Sequence, residues 1–446
     1  MTYSGEINFD GLIGPTHNYG GLSEGNFASK KHHNQTSNPK AAALQGLEKM
    51  RLIMEQGLPQ GFFLPHERPN LDMLRMLGFA GTDEEVFNQA GKRSPSLLKN
   101  VYSASSMWAA NAATFSPSID SYDKNIHITP ANLNSMFHRS IEPEFTKKQL
   151  EMIFGLIAKV HGPVRHIAGY GDEGAANHLR VTAQHLKPGF QIFIYGNSAF
   201  VNEENIIARQ AEEVSKAVAT QHQLDPDRTL YLRQNNAAID SGSFHNDIVS
   251  LANEEIFIFH QEAFADRLEV ERVLHHLKDH VKGFQFLEIK SEDISLEDLV
   301  SSYLLNSQLI TVENNEMLML LPEEVQDHSN CMIWLDEIKS SSPIKHIEFV
   351  DIRQSMMNGG GPACLRFKTV VNDEEFSQLN DKFLLTSQKL MDLRALINKY
   401  YRDKLNPKDL FDIELMNESY LFLDELTQLL DLGSIYSFQK NESYTK

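Results

Sequence analysis

The middle of the chain contains the stretch Ile248-Val249-Ser250-Leu251-Ala252, then Asn253-Glu254-Glu255, then Ile256-Phe257-Ile258-Phe259-His260. Two apolar runs rich in β-branched and aromatic residues, separated by a short polar segment, predict a β-hairpin. In the residues that follow, 262–281, apolar side chains recur three and four positions apart, which predicts a helix. This part of the chain therefore predicts a strand-strand-helix unit.

The same hairpin pattern recurs elsewhere in the chain. Residues 309–312 and 317–321 flank the turn Glu313-Asn314-Asn315 about sixty residues later, and residues 179–183 and 190–195 form a third candidate pair. Recurrence at such a period indicates stacked or radially arranged modules rather than one doubly wound sheet. Because no Pro/Gly/Ser-rich linker divides residues 1–446, we predict a single α/β domain built of repeated strand-strand-helix units.

Further helices are predicted from capping residues and from the period of the apolar residues. Asn38 suits an N-cap and Pro39 the first helical position of a segment that ends near Gly57. Apolar residues spaced three and four apart predict additional helices over residues 145–159, 203–220, 382–402 and 418–431.

Composition excludes several classes of protein. With 41 basic and 60 acidic side chains the formal net charge is −19, which disfavours the basic surface that nucleic-acid binding requires. No apolar run approaches the roughly 18 residues of a membrane span, and the start of the chain lacks the features of a signal peptide. The two cysteines, Cys331 and Cys364, cannot build a disulfide framework. We therefore expect a cytoplasmic protein with neither a nucleic-acid nor a membrane partner.

One cysteine stands in an unusual setting, the run Asn358-Gly359-Gly360-Gly361-Pro362-Ala363-Cys364-Leu365-Arg366. Glycines allow the backbone to approach a ligand closely and to adopt φ values that other residues avoid. Residues 365–371 alternate apolar and polar side chains, which predicts a half-buried strand with the thiol at its mouth. Cys364 is thus a candidate nucleophile, although a free cysteine is more often a small buried hydrophobic residue.

Two other segments carry candidate catalytic groups. His245 and Asp247 directly precede the first hairpin and share one face at the period of a strand, where His245 can shuttle protons. With 18 histidines in the chain, a hydrogen-bonded or surface residue is the alternative. Glu173 lies in a glycine-bracketed acidic loop, residues 169–178, that suits a cationic group rather than phosphate. A solvent-exposed acidic turn is the alternative there.

Groups for an anionic ligand end are also present. The glycine-rich segment 12–23 can offer backbone N–H groups, and Arg139 and Arg209 can bind carboxylates bidentately. An ordinary connector and solvated arginines are the alternatives.

Taken in order, these segments resemble those of the N-succinylarginine dihydrolases, members of the guanidino-group-modifying superfamily. The resemblance runs nearly end to end and is carried by residues 8–14, 37–39, 65–69, 107–114, 134–139, 171–177, 244–247 and 359–366.

The resemblance implies a five-bladed pseudo-symmetric α/β propeller of ββαβ modules that forms one catalytic domain over residues 1–446. It implies a homodimer, no metal or organic cofactor, and a catalytic triad of Cys364, His245 and Glu173. The substrate-binding positions that it implies are Gly20, Gly21, Leu22, Ser23, Glu24, Gly25, Asn26, Phe27, Ala28, Ser29, Asn111, His138, Arg139, Arg209, Asp247 and Asn358.

The implied substrate is N2-succinyl-L-arginine. Glu173 and Asp247 would hold its guanidinium group, while Arg139, Arg209 and loop N–H groups would bind its carboxylates. A Cys364 thiolate, favoured by nearby positive charge, would attack the guanidinium carbon, and two rounds would give succinylornithine, carbon dioxide and two ammonia molecules.

Four alternatives stay open at this point. A deiminase would stop after one round, and an amidinotransferase would pass the carbon to an amine. A metallohydrolase would use His245, Asp247, Glu173 and His178 as zinc ligands, although no familiar ligand spacing is present. A noncatalytic sensor would bind an arginine derivative without turnover.

Overall fold

The computed structural model describes residues 3–200 and 208–440. The strands in these ranges are β1 Gly5–Gly11, β2 Gln60–Phe63, β3 Ala113–Ser116, β4 Ile126–Pro130, β5 Ala158–Val160, β6 His178–Val181, β7 Phe190–Tyr195, β8 Thr229–Arg233, β9 Ser250–Asn253, β10 Ile256–His260, β11 Gln285–Ile289, β12 Gln308–Thr311, β13 Met317–Pro322, β14 Ile344–Val350 and β15 Arg366–Val371.

The α-helices in the same ranges are α1 Phe27–Lys31, α2 Pro39–Glu55, α3 Leu71–Met76, α4 Asp83–Arg93, α5 Pro95–Val101, α6 Phe137–Ser140, α7 Pro143–Phe154, α8 Glu212–Gln221, α9 Asn236–Asp240, α10 Arg267–His280, α11 Leu296–Ser302, α12 Ser329–Ser341, α13 Arg353–Met357, α14 Asp373–Ser377, α15 Ser387–Tyr400 and α16 Ile413–Leu429.

Within the described residues, the strands form five small sheets of three strands each, and every sheet follows the same plan. The first strand pairs antiparallel with the second, and the second pairs parallel with the third. A helix lies between the second and third strands in sequence, because a parallel pair needs a long crossover connection. The sheets are β15-β1-β2, β3-β4-β5, β6-β7-β8, β9-β10-β11 and β12-β13-β14.

The three hairpins predicted from the sequence are confirmed. They are β6–β7, β9–β10 and β12–β13, and each pairs antiparallel as expected. The residue patterns alone predict no third strand, although the ββαβ modules implied by the resemblance include one. In β11, for example, the pattern is weak because Gln285 and Phe286 are both exposed.

Most predicted helices are also confirmed. Helix α2 begins at Pro39, and the Asn38 side chain caps it by accepting a hydrogen bond from the Ala41 N–H at 2.9 Å. Helices α10, α15 and α16 correspond to the predictions over 262–281, 382–402 and 418–431.

Helices α10 and α15 begin later than predicted, at Arg267 and Ser387, and α16 begins earlier, at Ile413. Two further helices also differ from the predictions. The helix predicted over 145–159 ends at Phe154, because residues 158–160 form the edge strand β5. In the predicted helix over 203–220, residues 203–207 lie outside the described residues, and helix α8 begins only at Glu212.

The modular plan positions the side chains of the candidate site. Strands β15 and β3, β6 and β9, and β9 and β12, all first strands of their modules, contact each other. The segments that immediately precede the five first strands carry Cys364, Asn111, Glu173, the His245–Asp247 segment and Asn306. The repeat therefore brings one polar segment from each module to the same end of the neighbouring first strands.

The apolar core lies between the sheets and their covering helices. One buried cluster joins the first two modules to helices α2, α15 and α16, and another joins the modules of β6 to β14. No helix in residues 3–200 and 208–440 has the length and apolar character needed to span a membrane.

Candidate active site

Glu173 is fully buried at the start of a short 3-10 turn that leads into β6. Its Oε2 accepts hydrogen bonds from the Arg139 guanidinium and from His245 Nε2, the latter at 2.9 Å. Its Oε1 accepts from the Ser135 hydroxyl at 3.0 Å. The alternative of a solvent-exposed acidic turn is wrong, because Glu173 is buried. The carboxylate meets cationic groups of the protein itself, and its binding of a cationic ligand group stays a prediction.

The backbone of Glu173 is fixed as firmly as its side chain. Its N–H donates to Gln210 Oε1 at 2.7 Å, and its carbonyl accepts from Asn111 Nδ2 at 2.8 Å. Asn111 therefore holds the Glu173 turn in place, whatever contact it makes with a ligand.

The charges around this carboxylate set its protonation and that of the imidazole. Burial by itself raises the pKa of Glu173, but the charge of Arg139 and the hydrogen bond from His245 hold that pKa well below its usual value. Burial lowers the pKa of His245 to about 4, despite the Glu173 hydrogen bond. At neutral pH the pair is thus a carboxylate and a neutral imidazole.

The Cys364 thiol is buried beside a second carboxylate. Its Sγ donates to Asp247 Oδ2 at 3.4 Å and lies 3.3 Å from Asn306 Nδ2. Asn306 also fixes the glycine run, since its Oδ1 accepts from the Gly361 N–H at 2.8 Å and its carbonyl accepts from the Ala363 N–H at 3.1 Å.

The thiol is not activated by positive charge, and that part of the sequence prediction is wrong for this structure. Burial, followed by the negative charge of Asp247, raises the pKa of Cys364 well above its usual value. Burial likewise raises the pKa of Asp247 to about 7. Neither group has an arginine, lysine or histidine among its hydrogen-bond partners in the described residues.

The two clusters are joined by one short segment. His245 and Asp247 flank Asn246, whose N–H donates to Asn177 Oδ1 at 2.9 Å, and Asn177 belongs to the turn that follows Glu173. The Asp247 carbonyl accepts from Asn306 Nδ2 at 3.2 Å. Hydrogen bonds from adjacent modules thereby fix the position of the His245 imidazole relative to the Asp247 carboxylate, which accepts the hydrogen bond of the thiol.

Two buried arginines retain N–H groups for a ligand. The Arg209 guanidinium stacks over the Phe244 ring at 4.4 Å and donates to the Glu24 carbonyl. Among the described residues, Arg209 Nε and Arg139 Nε and Nη2 are buried without a hydrogen-bond partner. Burial, with both arginines adding to it, lowers the pKa of nearby His138 to about 3, so that this ring is neutral.

The loop of residues 20–29 lies against these groups. A cavity of about 30 Å³ is lined, among others, by Gly20, Gly21, Leu22, Ser23, Asn26, Ser29, His138 and Asn358. A neighbouring cavity of about 330 Å³ is lined by Leu22, Glu24, His138 and Arg209 among others. Asn26, Phe27 and Ala28 line a larger, mainly apolar cavity of about 790 Å³ beside Phe244. Gly25 provides a turn with φ of 82°.

Proteins of a known family are similar in sequence to nearly the whole of this chain. A family model described as succinylarginine dihydrolase matches residues 3–439. A relative from Erwinia tasmaniensis, named N-succinylarginine dihydrolase, is 45% identical over 98% of this chain and 99% of its own length. A relative of the same name from Acinetobacter baumannii strain ACICU is 44% identical with the same coverage.

The chain belongs to the succinylarginine dihydrolase family. Its fold is similar to that in the crystal structure of unliganded AgrE, with a TM-score of 0.50 and 15% identity over 83% of this chain and 40% of the other.

Sequence reasoning missed several residues of this family member's site. The sequence assigns no role to Asn306, Ser135 and Gln210, although Ser135 lies inside the segment 134–139 and Gln210 directly follows Arg209. A signal for Asn306 was present, because it precedes the hairpin at 308–322 as His245 precedes the hairpin at 250–260.

The four side chains of the metallohydrolase alternative do not form a ligand set. Within the described residues, no group of three or more His, Cys, Asp or Glu side chains is arranged to hold a metal ion. His178 lies on β6 with its ring 4.6 Å from that of Phe193, whereas His245 bonds Glu173.

Proposed function

We propose that the chain converts N2-succinyl-L-arginine and two waters to N2-succinyl-L-ornithine, carbon dioxide and two ammonia molecules. The observation that carries this proposal is the buried Cys364 thiol on the Asp247 carboxylate, joined by one short segment to the His245–Glu173 pair. Full-length membership of the succinylarginine dihydrolase family supports the substrate.

We assign to Asp247 the binding of the substrate's guanidinium group. Its Oδ1 is buried without a hydrogen-bond partner among the described residues, while Oδ2 receives the thiol. We assign to Glu173 the role of orienting His245, because three hydrogen-bond donors already occupy its carboxylate. The unpaired N–H groups of Arg139 and Arg209 suit the succinyl and α-carboxylates of the substrate, with the loop of residues 20–29, His138 and Asn358 around them.

Substrate binding activates the thiol in this scheme. A guanidinium cation brought against Asp247 lies next to Cys364 and favours its thiolate, because an opposite charge lowers a thiol pKa. The thiolate attacks the guanidinium carbon to form a C–S bond. His245 passes the released proton to one nitrogen, the C–N bond breaks, and ammonia leaves a thiouronium adduct on Cys364.

Water completes each round. His245 takes a proton from a water that attacks the adduct carbon, the C–S bond breaks, and succinylcitrulline and the free thiol result. In the second round the thiolate attacks the ureido carbon and a second ammonia leaves. Water then releases a carbamic acid, which loses carbon dioxide to give succinylornithine.

The assembly belongs to the same proposal. We assign the five modules to the blades of a five-bladed propeller in one catalytic domain over residues 1–446. Support comes from the contacts between first strands and from β15, which completes the sheet of β1. A cytoplasmic homodimer is proposed with it, and sedimentation at several concentrations tests the dimer.

The decisive experiment is the ammonia released per succinylarginine consumed by chelator-treated protein, with products identified by mass. Two ammonia molecules with succinylornithine are expected. One ammonia with accumulating succinylcitrulline would instead make the protein a deiminase. Binding without ammonia release would make it a sensor, and activity lost to chelator and restored by zinc would favour a metallohydrolase.

A further inference from the structure

A cavity of about 100 Å³ lies beside the nucleophile. Its lining is largely apolar, but it also includes the polar side chains of Asp247, Ser250, Arg366 and Lys368, with Ala252 among the apolar residues. Since Asp247 Oδ2 accepts the hydrogen bond from the Cys364 thiol, a single carboxylate side chain connects this cavity with the nucleophile.

Arg366 is poorly satisfied by protein groups. Its Nε is buried and has no hydrogen-bond partner among the described residues, and its Nη1 reaches Asn8 Oδ1 only at 3.4 Å. A buried donor without a protein partner is costly, and an ordered water commonly satisfies such a group. The cavity is larger than the roughly 10–15 Å³ that one water requires.

The far end of the cavity approaches a second cavity through an ion pair. Lys368 Nζ lies 3.0 Å from Glu6 Oε2, and 23% of the Lys368 side chain is accessible. Glu6 also lines a cavity of about 390 Å³ together with His185 and Glu254. The Lys368–Glu6 ion pair therefore stands between the two cavities.

We infer that the cavity of Asp247, Ser250, Ala252, Arg366 and Lys368 stores and delivers the water that hydrolyses the covalent adduct on Cys364. The inference rests on the proposed covalent mechanism, in which each round consumes one water while the substrate occupies the ligand side of the site. In each delivery the water oxygen bonds to the adduct carbon, the C–S bond breaks, and one water proton returns to the thiol through His245.

The test is to reduce the cavity volume without touching a catalytic group. Ala252 lines the cavity from β9, and Ala252→Leu fills part of it. We expect the first ammonia to be released at the wild-type rate in a burst, followed by adduct hydrolysis about tenfold slower. Acid-quenched intact-protein mass spectrometry should then find a larger fraction of enzyme carrying the adduct than in the wild type.

A smaller substitution and a control guard against a folding defect. Ala252→Val adds less volume, and valine suits a strand position. If thermal melting shows that Ala252→Leu is unfolded, Ala252→Val is tested in its place. Ala158→Val on the edge strand β5 makes the same change away from the cavity and should leave the adduct fraction at the wild-type level.

Two results overturn the inference. Folded Ala252 variants whose adduct fraction matches the wild type would show that the water comes from elsewhere. If the wild-type enzyme releases ammonia but no adduct is found after rapid quench, both this inference and the covalent mechanism are overturned. The two outcomes therefore distinguish failure of the water-delivery inference alone from failure of the covalent mechanism.

Discussion

The Cys364 thiol donates a hydrogen bond to Oδ2 of Asp247 across 3.4 Å, with both residues buried. Burial raises the pKa values of both groups, so that the ligand-free protein favours a neutral thiol and a carboxyl that is only partly ionised at pH 7. In the proposed first round, the substrate's guanidinium cation beside Asp247 favours the thiolate. Recognition of the cation and activation of the nucleophile are thus linked in that round.

Replacement of the nucleophile should remove turnover while binding persists. Cys364→Ser substitutes a hydroxyl that is far less ionised than a thiol near pH 7, so we expect ammonia release below detection and retained succinylarginine binding by calorimetry. Cys331→Ser is the matched control, because Cys331 lies buried on α12 against Ser302. Substantial turnover by purified Cys364→Ser protein would remove the covalent mechanism.

The acid limb of the pH profile of kcat/KM should reflect the ionisation of the Asp247 carboxyl group. Because burial raises its pKa to about 7, the carboxyl becomes neutral as pH falls through that value and loses its attraction for the guanidinium cation. We therefore expect kcat/KM to rise with pH up to about 7, and Asp247→Asn to be slow and to lack this limb. If the Asp247→Asn enzyme is measurably active and its kcat/KM profile keeps an acid limb with the same midpoint, that limb belongs to another group.

Loss of the Glu173 charge should affect both stability and rate. Glu173→Gln leaves Arg139 buried without its ionic partner, which costs about 3–5 kcal/mol, and releases His245, which lowers kcat about 100-fold or more. Since the pKa of Glu173 lies below its unfolded value, its stabilisation is present above about pH 4.5 and is lost at lower pH.

Chemical denaturation at several pH values measures this effect. Glu48→Gln is the control, because Glu48 pairs with Arg51 at the surface and should change stability by less than about 1 kcal/mol. Equal effects of the two substitutions at pH 7 would contradict a structural role for the buried Glu173–Arg139 pair.

The hairpins could be predicted from the sequence because their alternation and turns are local. The third strands could not, since edge strands such as β11 and β5 are short and partly exposed. The site itself combines residues from separate modules, and no local pattern relates Glu173 to Arg139 or Cys364 to Asn306. The family resemblance assigns Glu173, Arg139 and Cys364 to one site but gives Asn306 no role. The raised pKa of the thiol follows from the structure, which places Cys364 in a buried position beside Asp247.

Arg209 should determine selectivity for the succinylated substrate. Arg209→Ala loses a charge-assisted contact worth about 1.5–3 kcal/mol, which lowers kcat/KM for succinylarginine about tenfold to 150-fold. Free arginine, which lacks the succinyl carboxylate, should be a poor substrate for both enzymes and should lose less. Arg228→Ala is the control, because Arg228 stacks over Phe190 at 5.0 Å in the same manner but away from the site. A proportional loss for both substrates would place the role of Arg209 elsewhere.

Gly359 should be required for the position of the substrate loop. It has φ of 101°, and a Cβ there would overlap the Asn26 side chain, whose Nδ2 donates to the Gly359 carbonyl at 3.2 Å. Asn26 Oδ1 in turn accepts from the Ser29 N–H at 2.9 Å, so the clash would displace the loop of residues 20–29. We expect Gly359→Ala to raise KM about tenfold or more, since the positive φ alone costs about 1–2 kcal/mol.

A double-mutant cycle separates the clash from the backbone strain. In Gly359→Ala combined with Asn26→Ala the overlap is gone, so the joint loss of kcat/KM should be smaller than the product of the two single losses. Gly162→Ala, at a position with open space around it, is the control and should leave KM unchanged. Independent effects in the cycle would mean that the Gly359 backbone, rather than its contact with Asn26, holds the loop in place.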